Sequence, residues 1–262
     1  MLLFAIACQK IEPAPQDIDG LAHYLWQHLD DSQEDALVEG IINLHNAIDA
    51  DELSEIKKGT ISALSQEELA LVNKDHQDAS LLNGVYFANI IPCSLEFAEQ
   101  SIYATNQDEL HPGDYVRYDR SYTSDFEAYT AREELVLTWE TNYEVDGLGY
   151  SYEAWLDSSM RYIPNVNGSI EDNEFDLGPA FFSRGILRDA AYFDEDSTDR
   201  GMLQDFQMEV YWARAPEELV HFYFIWREMI ILGDTDFSSD TVQNFVLDGL
   251  ADWDEDMAER CQ

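Results

Sequence analysis

Six histidines and 54 acidic residues are the side chains that could carry acid–base or metal chemistry in this sequence. The histidines are scattered along the chain, and neither a His-Glu-x-x-His motif nor a cysteine pair with zinc spacing occurs. His221 lies in an aromatic run that predicts a strand, where a histidine satisfied within the core is commoner than a catalytic base. Among so many carboxylates, spacing cannot select a glycosidase-type acid–base pair. The sequence therefore assigns no catalytic residue.

Two acidic loops, residues 194–201 and 234–240, offer the closely spaced oxygen atoms that calcium prefers. Neither loop matches the EF-hand pattern, since Asp199 stands where the first would need its glycine, and such clusters arise by chance in an acidic chain. The sequence also has no Gly-rich phosphate loop and no Gly-x-Ser-x-Gly turn. We therefore predict neither a metal nor a cofactor.

The first eight residues, Met-Leu-Leu-Phe-Ala-Ile-Ala-Cys, form a short apolar run that closes on Cys8. This octet resembles the lipobox of bacterial lipoproteins, although Ala5 stands where that pattern prefers leucine. The resemblance implies a signal segment over residues 1–8 and a lipid on Cys8. It also implies a body that is anchored to a membrane of the cell envelope and faces the periplasm or the exterior. A buried first strand of a cytosolic protein is the alternative.

The remaining cysteines are Cys93 and Cys261. If Cys8 carries lipid, an oxidising envelope compartment would allow these two to pair. A disulfide between them would fix the C-terminal region to the middle of the chain, whereas two unpaired buried thiols are the alternative. We expect the disulfide.

Charge excludes one class of partner. The 14 basic residues leave a formal net charge of −40, which repels phosphate backbones, so we exclude nucleic acid. Such an acidic surface is typical of salt-adapted proteins, and a surface that merely keeps the protein soluble is the alternative. Because 45% of the residues are hydrophobic, the chain can still bury a core.

Hydrophobic spacing divides the chain into regions. Residues 9–16, with Pro13 and Pro15, predict an extended tether. Residues 17–82 carry apolar side chains at helical spacing and predict three or four short amphipathic helices. Ser65 begins a Ser-x-x-Glu capping box that predicts one helix start.

Residues 83–262 predict an antiparallel α+β domain. Several segments alternate between apolar and polar positions, as strands with one buried face do. The strand around His221 is apolar on both faces, which predicts a central strand covered on both sides. From Asp240 to Glu259 an apolar stripe that includes Phe245, Gly249 and Trp253 predicts a long C-terminal helix.

The order of elements over residues 83–260 is strand, helix, about six antiparallel strands and a long helix. This order resembles the helix-grip fold of START and Bet v 1-like proteins. The resemblance implies an α+β fold, with N-terminal short helices followed by a curved antiparallel sheet of about seven strands. The C-terminal helix would pack on that sheet above an apolar cavity, and an ordinary packed sheet without a cavity is the alternative.

Three functions stay open from the sequence. The first is a non-enzymatic structural or interaction role of an envelope lipoprotein, with residues 17–82 docking an envelope protein through an exposed apolar patch. The second is binding of an apolar or aromatic small molecule between the sheet and the last helix. The third is a secreted hydrolase. For the second, the candidate ligand-binding residues are aromatic, although core packing is a common alternative for them: Trp139, Tyr143, Trp212, Tyr223 and Trp253.

Overall fold

A computed structural model of the chain describes residues 12–111, 113–147, 150–170, 173–194, 197–232 and 235–261. Cys8 and the rest of the proposed signal segment lie outside the described residues, as do parts of both acidic loops. Within the described ranges, no helix combines the length and the apolar character needed to cross a membrane.

The helices and strands follow one another in an order close to the predicted one. The helices are α1 (Ile18–His28), α2 (Asp35–Ala47), α3 (Gln66–Leu71), α4 (Leu95–Tyr103), α5 (Gln107–Leu110), α6 (Phe126–Thr130) and α7 (Asp240–Cys261), with a 3-10 turn at Ala79–Leu81. The strands are β1 (Lys57–Ile61), β2 (Asn83–Ile91), β3 (Arg117–Tyr122), β4 (Val136–Gly147), β5 (Tyr150–Ile170), β6 (Asn173–Leu187), β7 (Ala191–Asp194), β8 (Ser197–Ala215), β9 (Glu218–Leu232) and β10 (Thr235–Asp236).

The N-terminal helices begin at side chains that cap them. Asp17 accepts a hydrogen bond from the backbone N–H of Gly20 at the start of α1, and Ser65 with Glu68 forms the predicted capping box at α3. Residues 14 and 15 belong to the segment for which the sequence analysis predicts a tether. The Asn43 amide donates to both of their carbonyl groups, at 2.9 and 2.8 Å.

Residues 57–61 form the edge strand β1, although the sequence analysis places them in a helical region. Their Lys-Lys-Gly-Thr-Ile sequence has neither helical nor strand periodicity, and the strand forms because it pairs with β2 in antiparallel register. A Cβ on Gly59 would lie 2.7 Å from the Tyr86 ring, so a glycine suits this close approach. Pairing with a distant segment therefore decides the structure here.

The described strands form a single antiparallel sheet of ten, rather than about seven. The main order is β1-β2-β9-β8-β6-β5-β4-β3, with β7 beside β8 and β10 beside β9. Strand β9 lies between β2 and β8 and is covered on both sides, in agreement with the prediction for the strand around His221.

Alternate residues of β9 belong to the two faces of this sheet. Phe222, Phe224 and Trp226 point to the side that packs against α1, α2 and α3, which we call the back face. Leu219 and Tyr223 point to the side covered by α7, which we call the front face. The overall arrangement is the predicted α+β order, with a long C-terminal helix against an antiparallel sheet.

Helix α7 covers the front face with a surface that differs from the predicted stripe. Val242, Leu247 and Met257 are buried, as expected of apolar residues. Phe245, which the prediction placed in the stripe, is 52% exposed, and Asp254 is buried in the front-face contact. The spacing of apolar residues could not predict this difference, because the burial of Asp254 depends on its hydrogen-bond partners on the sheet, Asn89 and His221.

A disulfide fixes the end of α7. Cys93 follows β2, Cys261 is the last residue of α7, and the two are joined across a sequence separation of 168 residues. This is the pair that the sequence analysis predicted. Apolar residues of α4 pack around the bond in the same cluster as Met257, so the far end of α7 is held to the front of the sheet.

Candidate functional site

A cavity of about 260 Å³ lies between the front face and α7. Its floor is made of small residues on neighbouring strands, Ser158 on β5 with Ser183 and Gly185 on β6. A Cβ on Gly185 would meet no atom closer than Gln207 Oε1, at 3.8 Å. The cavity therefore exists because these strands carry small side chains where the rest of the sheet carries large ones.

Helix α7 forms the roof through Gly249, Leu250 and Trp253. Gly249 is exposed and also lines the cavity, so the cavity reaches the surface beside the middle of the helix. Trp253 stacks on His111, with ring centroids 5.2 Å apart. Burial, together with the nearby Arg260 cation, lowers the pKa of His111 to about 4, so this ring packs as a neutral group.

The structure separates the five aromatic residues that the sequence analysis proposed as ligand contacts. Trp139, Tyr223 and Trp253 line the cavity. Trp212 lies on the back face, where its indole N–H donates to His45 Nδ1 at 3.1 Å. Tyr143 packs between the rings of two other tyrosines and is outside the lining. The register between strands decides which of these aromatic side chains lie on the same face and close together. The pattern within one segment does not predict that register.

His221 lines the cavity at the centre of a buried polar group. Its Nδ1 lies 2.7 Å from Asp254 Oδ1 on α7, and its Nε2 lies 3.4 Å from Glu209 Oε2 on β8. The ring also stacks on Tyr211, with centroids 4.3 Å apart. Burial disfavours the charged ring, but the carboxylates of Asp254 and Glu209 outweigh burial and raise the pKa of His221 to about 9. The residue is therefore an imidazolium at neutral pH.

The carboxylates around His221 have further donors. Asn89 on β2 donates to Asp254 Oδ2 at 2.9 Å, and the Tyr211 hydroxyl donates to Glu209 Oε2 at 2.5 Å. One imidazolium and two hydrogen bonds thus stabilise two carboxylates in the wall of the cavity. This group also ties α7 to the sheet.

A second group of polar side chains lies on the front face beside the group around His221. Arg227 Nε donates to Asp205 Oδ1 at 2.7 Å, and the amide of Gln207 donates to the same carboxylate. The Tyr223 hydroxyl in turn donates to Gln207. This second group fixes Tyr223 in the cavity wall.

Two donors of the lining lack acceptors. Within the described parts of the chain, Trp139 Nε1 and Arg120 Nε are buried and make no hydrogen bond, whereas His221 Nε2 faces the Glu209 carboxylate at 3.4 Å. Each such group costs roughly 1–3 kcal/mol when it stays unpaired. A bound molecule with acceptor atoms, or water, would remove that cost, so the lining suits a ligand that is apolar over most of its surface and accepts hydrogen bonds at one end.

The lining is more polar than the resemblance implied, because serine, glutamine and charged residues share it with the aromatic rings. The sequence analysis missed Arg120, Asp254 and Gly185. For Gly185 a signal existed, since a glycine inside a strand often marks a ligand or a close backbone approach. Among the residues described, no cluster of three or more His, Cys, Asp and Glu side chains could hold a metal ion.

Comparisons with known proteins give a structural likeness alone. No protein-family model matches the sequence, and no curated protein matches it either. The lipid transfer and protein localization domain of human StarD13 is 10% identical with a TM-score of 0.44, over 85% of this chain and 96% of that one. Human STARD10 is 7% identical with a TM-score of 0.47, over 80% of this chain and 70% of that one.

A START superfamily protein from Mycobacterium smegmatis is 10% identical with a TM-score of 0.41, over 68% of this chain and 96% of that one. Because all of these TM-scores are below 0.5, the functions of these proteins are not transferred to this chain.

Proposed function

We propose that this chain binds a small amphipathic molecule in the cavity between the front face and α7. The supporting observation is a cavity with aromatic walls whose lining contains buried N–H groups without acceptors among the described residues, at Trp139 and Arg120. Aromatic walls with a few polar groups are the usual composition of small-molecule sites. This is the second of the three functions that the sequence analysis left open.

The cavity volume limits the size of the ligand. A cavity of about 150 Å³ accommodates one benzene ring, so the 260 Å³ here fits a molecule of about one or two rings. Typical sites for larger, drug-sized ligands begin near 300 Å³. We therefore propose a compact aromatic or short-chain ligand.

The hydrolase alternative has less support. Asp254 and His221 have the geometry of an orienting carboxylate and a base. However, His221 Nε2 faces the Glu209 carboxylate, and no hydroxyl or thiol of the described residues makes a hydrogen bond to it as a nucleophile would. The docking alternative also has less support, because the apolar residues of α1 and α2 pack against the back face.

Location in the cell envelope is a separate part of the proposal. The disulfide between Cys93 and Cys261 supports it, because such bonds persist in oxidising compartments and are rare in the cytosol. Bacteria that express the full chain would be fed an alkyne fatty acid, and we expect Cys8-dependent labelling of the membrane fraction. Equal labelling of a Cys8→Ser variant, or unlabelled protein in the cytosol, would contradict the anchor.

The cavity is tested with three probes that share one ring system: 2-naphthoate, 2-naphthamide and 2-naphthylmethanol. We expect at least one to bind with 1:1 stoichiometry and a Kd below about 1 mM in isothermal titration calorimetry. Gly185→Leu should abolish this binding, because its side chain occupies the floor of the cavity. Gly185→Ala is the matched control and should still bind.

Absence of binding by all three probes would defeat the proposal. So would binding that Gly185→Leu leaves unchanged, provided that this variant keeps the wild-type circular dichroism spectrum. The second outcome would place the probes elsewhere on the protein.

A further inference from the structure

Arg120 is a half-buried cation in the cavity wall of a chain whose formal net charge is −40. Several arginines of this chain form ion pairs with carboxylates within 4.0 Å, as Arg227 does with Asp205. Arg120 forms none with any residue that the structure describes; its hydrogen bonds go to a backbone carbonyl and a phenol oxygen. In so acidic a chain, a cation in a cavity without a carboxylate partner needs an explanation.

The guanidinium of Arg120 is held in one orientation. It lies over the Trp139 ring, 4.7 Å from the centroid, and 5.3 Å from the centroid of the Tyr118 ring. Nη1 donates to the Ile102 carbonyl at 2.5 Å, and Nη2 donates to the Tyr118 hydroxyl. Two of its five N–H donors are therefore used, and Nε is buried without an acceptor among the described residues.

The other charged groups of the lining are compensated. Glu209 accepts the Tyr211 hydroxyl and lies beside the imidazolium of His221. Arg184 forms two hydrogen bonds with Asp30, at 2.8 and 3.1 Å. Arg120 is thus the cation of the lining whose charge the described residues leave without a counter-ion.

We infer that the ligand carries a carboxylate, which binds Arg120 while the apolar body of the ligand lies against Trp139 and Trp253. This inference rests on the proposed function and names the class of ligand. A guanidinium and a carboxylate form charge-assisted hydrogen bonds, about twice as strong as neutral ones, and an enclosed site strengthens them further. The rings that stack on Arg120 fix its orientation before the ligand arrives, which lowers the entropic cost of binding.

The naphthalene probes test the inference because they differ only in the polar group. In calorimetry with the wild-type chain, 2-naphthoate should bind about 10- to 100-fold more tightly than 2-naphthamide or 2-naphthylmethanol. Arg120→Gln should reduce the affinity for 2-naphthoate to that for the amide. The affinity for 2-naphthylmethanol should change less than about threefold, because the walls of the cavity stay in place.

Arg117→Gln is the matched control. Arg117 lies on the same strand, β3, but its side chain is 41% exposed and pairs with Asp119 and Glu153. The substitution removes one arginine and the same charge without touching the cavity, so the ranking of the three probes should stay as in the wild type. A loss of 2-naphthoate affinity as large as that of Arg120→Gln would mean that overall charge, rather than a site, holds the carboxylate.

The possible failures are distinguishable. If the three probes bind wild type with equal affinity and Gly185→Leu abolishes that binding, the inference about the carboxylate is wrong and the cavity proposal stands. If no probe binds, the cavity proposal itself is wrong. Should Arg120→Gln fail to fold, the wild-type ranking of 2-naphthoate against 2-naphthamide decides the inference by itself.

Discussion

The two faces of one sheet are built to different rules. On the back face, Trp26, Trp212 and Trp226 are fully buried in one continuous apolar cluster with the N-terminal helices. On the front face, the same strands present a buried ion group around His221, a second group of polar side chains and a cavity. Because successive residues of a strand point to opposite sides, a single sequence can serve both purposes.

The two faces also differ in whether their buried tryptophan N–H groups have hydrogen-bond acceptors. The indole N–H groups of the back face have acceptors: Trp226 donates to the Ser62 carbonyl at 2.9 Å, and Trp212 donates to His45. On the front face, the indole of Trp139 has none among the described residues. The difference indicates that the back face supplies stability, while the front face gives up some stability to keep a site open.

The largest expected effect comes from the back face. Phe224→Ala should lower the free energy of unfolding by about 3–5 kcal/mol, because Phe224 is fully buried and its removal leaves a void. The front-face variant Ser183→Ala should change it by less than about 0.5 kcal/mol, since Ser183 borders a space that is already open. Urea unfolding measures both, and equal costs would refute the division between the two faces.

The polar group of the front face should give the next largest effect. His221→Gln leaves the buried carboxylate of Asp254 and the partly buried carboxylate of Glu209 without their cation, and we expect a loss of about 3 kcal/mol at neutral pH. Asp254→Asn should cost less, because it removes one of the two carboxylates that share the imidazolium. Urea unfolding at pH 7 tests this order. If His221→Gln leaves the free energy of unfolding unchanged, the ion pairs around His221 contribute nothing to stability.

The same group predicts a pH dependence. The folded-state pKa of His221, about 9, lies above its ordinary value of 6.5. The stabilisation is therefore fully present below pH 6.5 and is lost as the pH rises through about 9, by roughly 3 kcal/mol. Unfolding of wild type and His221→Gln would be compared from pH 6 to pH 10. Their difference should shrink with rising pH, whereas a constant difference would contradict the assignment.

Loss of the disulfide should have an effect similar in size to that of His221→Gln. Replacing Cys93 and Cys261 together by serine removes a cross-link over 168 residues and should cost ~2–4 kcal/mol. The comparison of the faces also predicts where the structure should loosen, because the disulfide holds the end of α7 on the front face only. Hydrogen exchange should rise in α7 and stay unchanged in α1 and α2. Uniformly faster exchange would show that the bond stabilises both faces alike.

The smallest effect belongs to the helices of the back face. Ser65→Ala removes the N-cap of α3 and should cost about 1 kcal/mol. Ser65→Thr keeps the hydroxyl group and serves as the control. The affinity for the naphthalene probes should stay unchanged in both variants, and a change would mean that the helical layer supports the cavity.

Local patterns predicted much of the fold and little of the site. The two apolar faces of β9, the capping box at Ser65 and the long C-terminal helix each depend on nearby residues, and each is present in the structure. The strand β1 and the burial of Asp254 depend on partners far along the chain, so periodicity could not reveal them. For the same reason the sequence analysis proposed Trp212, which faces the other side, and overlooked Arg120.

The pairing of β2 with β9 has a consequence for how the chain is made. β2 is separated from β9 by the whole run from β3 to β8, yet the two are hydrogen-bonded neighbours, second and third from the β1 edge in the main strand order. During synthesis the antiparallel pair of β1 and β2 must wait with an open edge until β9 emerges. Such late, non-local closure predicts slow folding, and it makes the nascent chain a client for chaperones that shield unpaired strands.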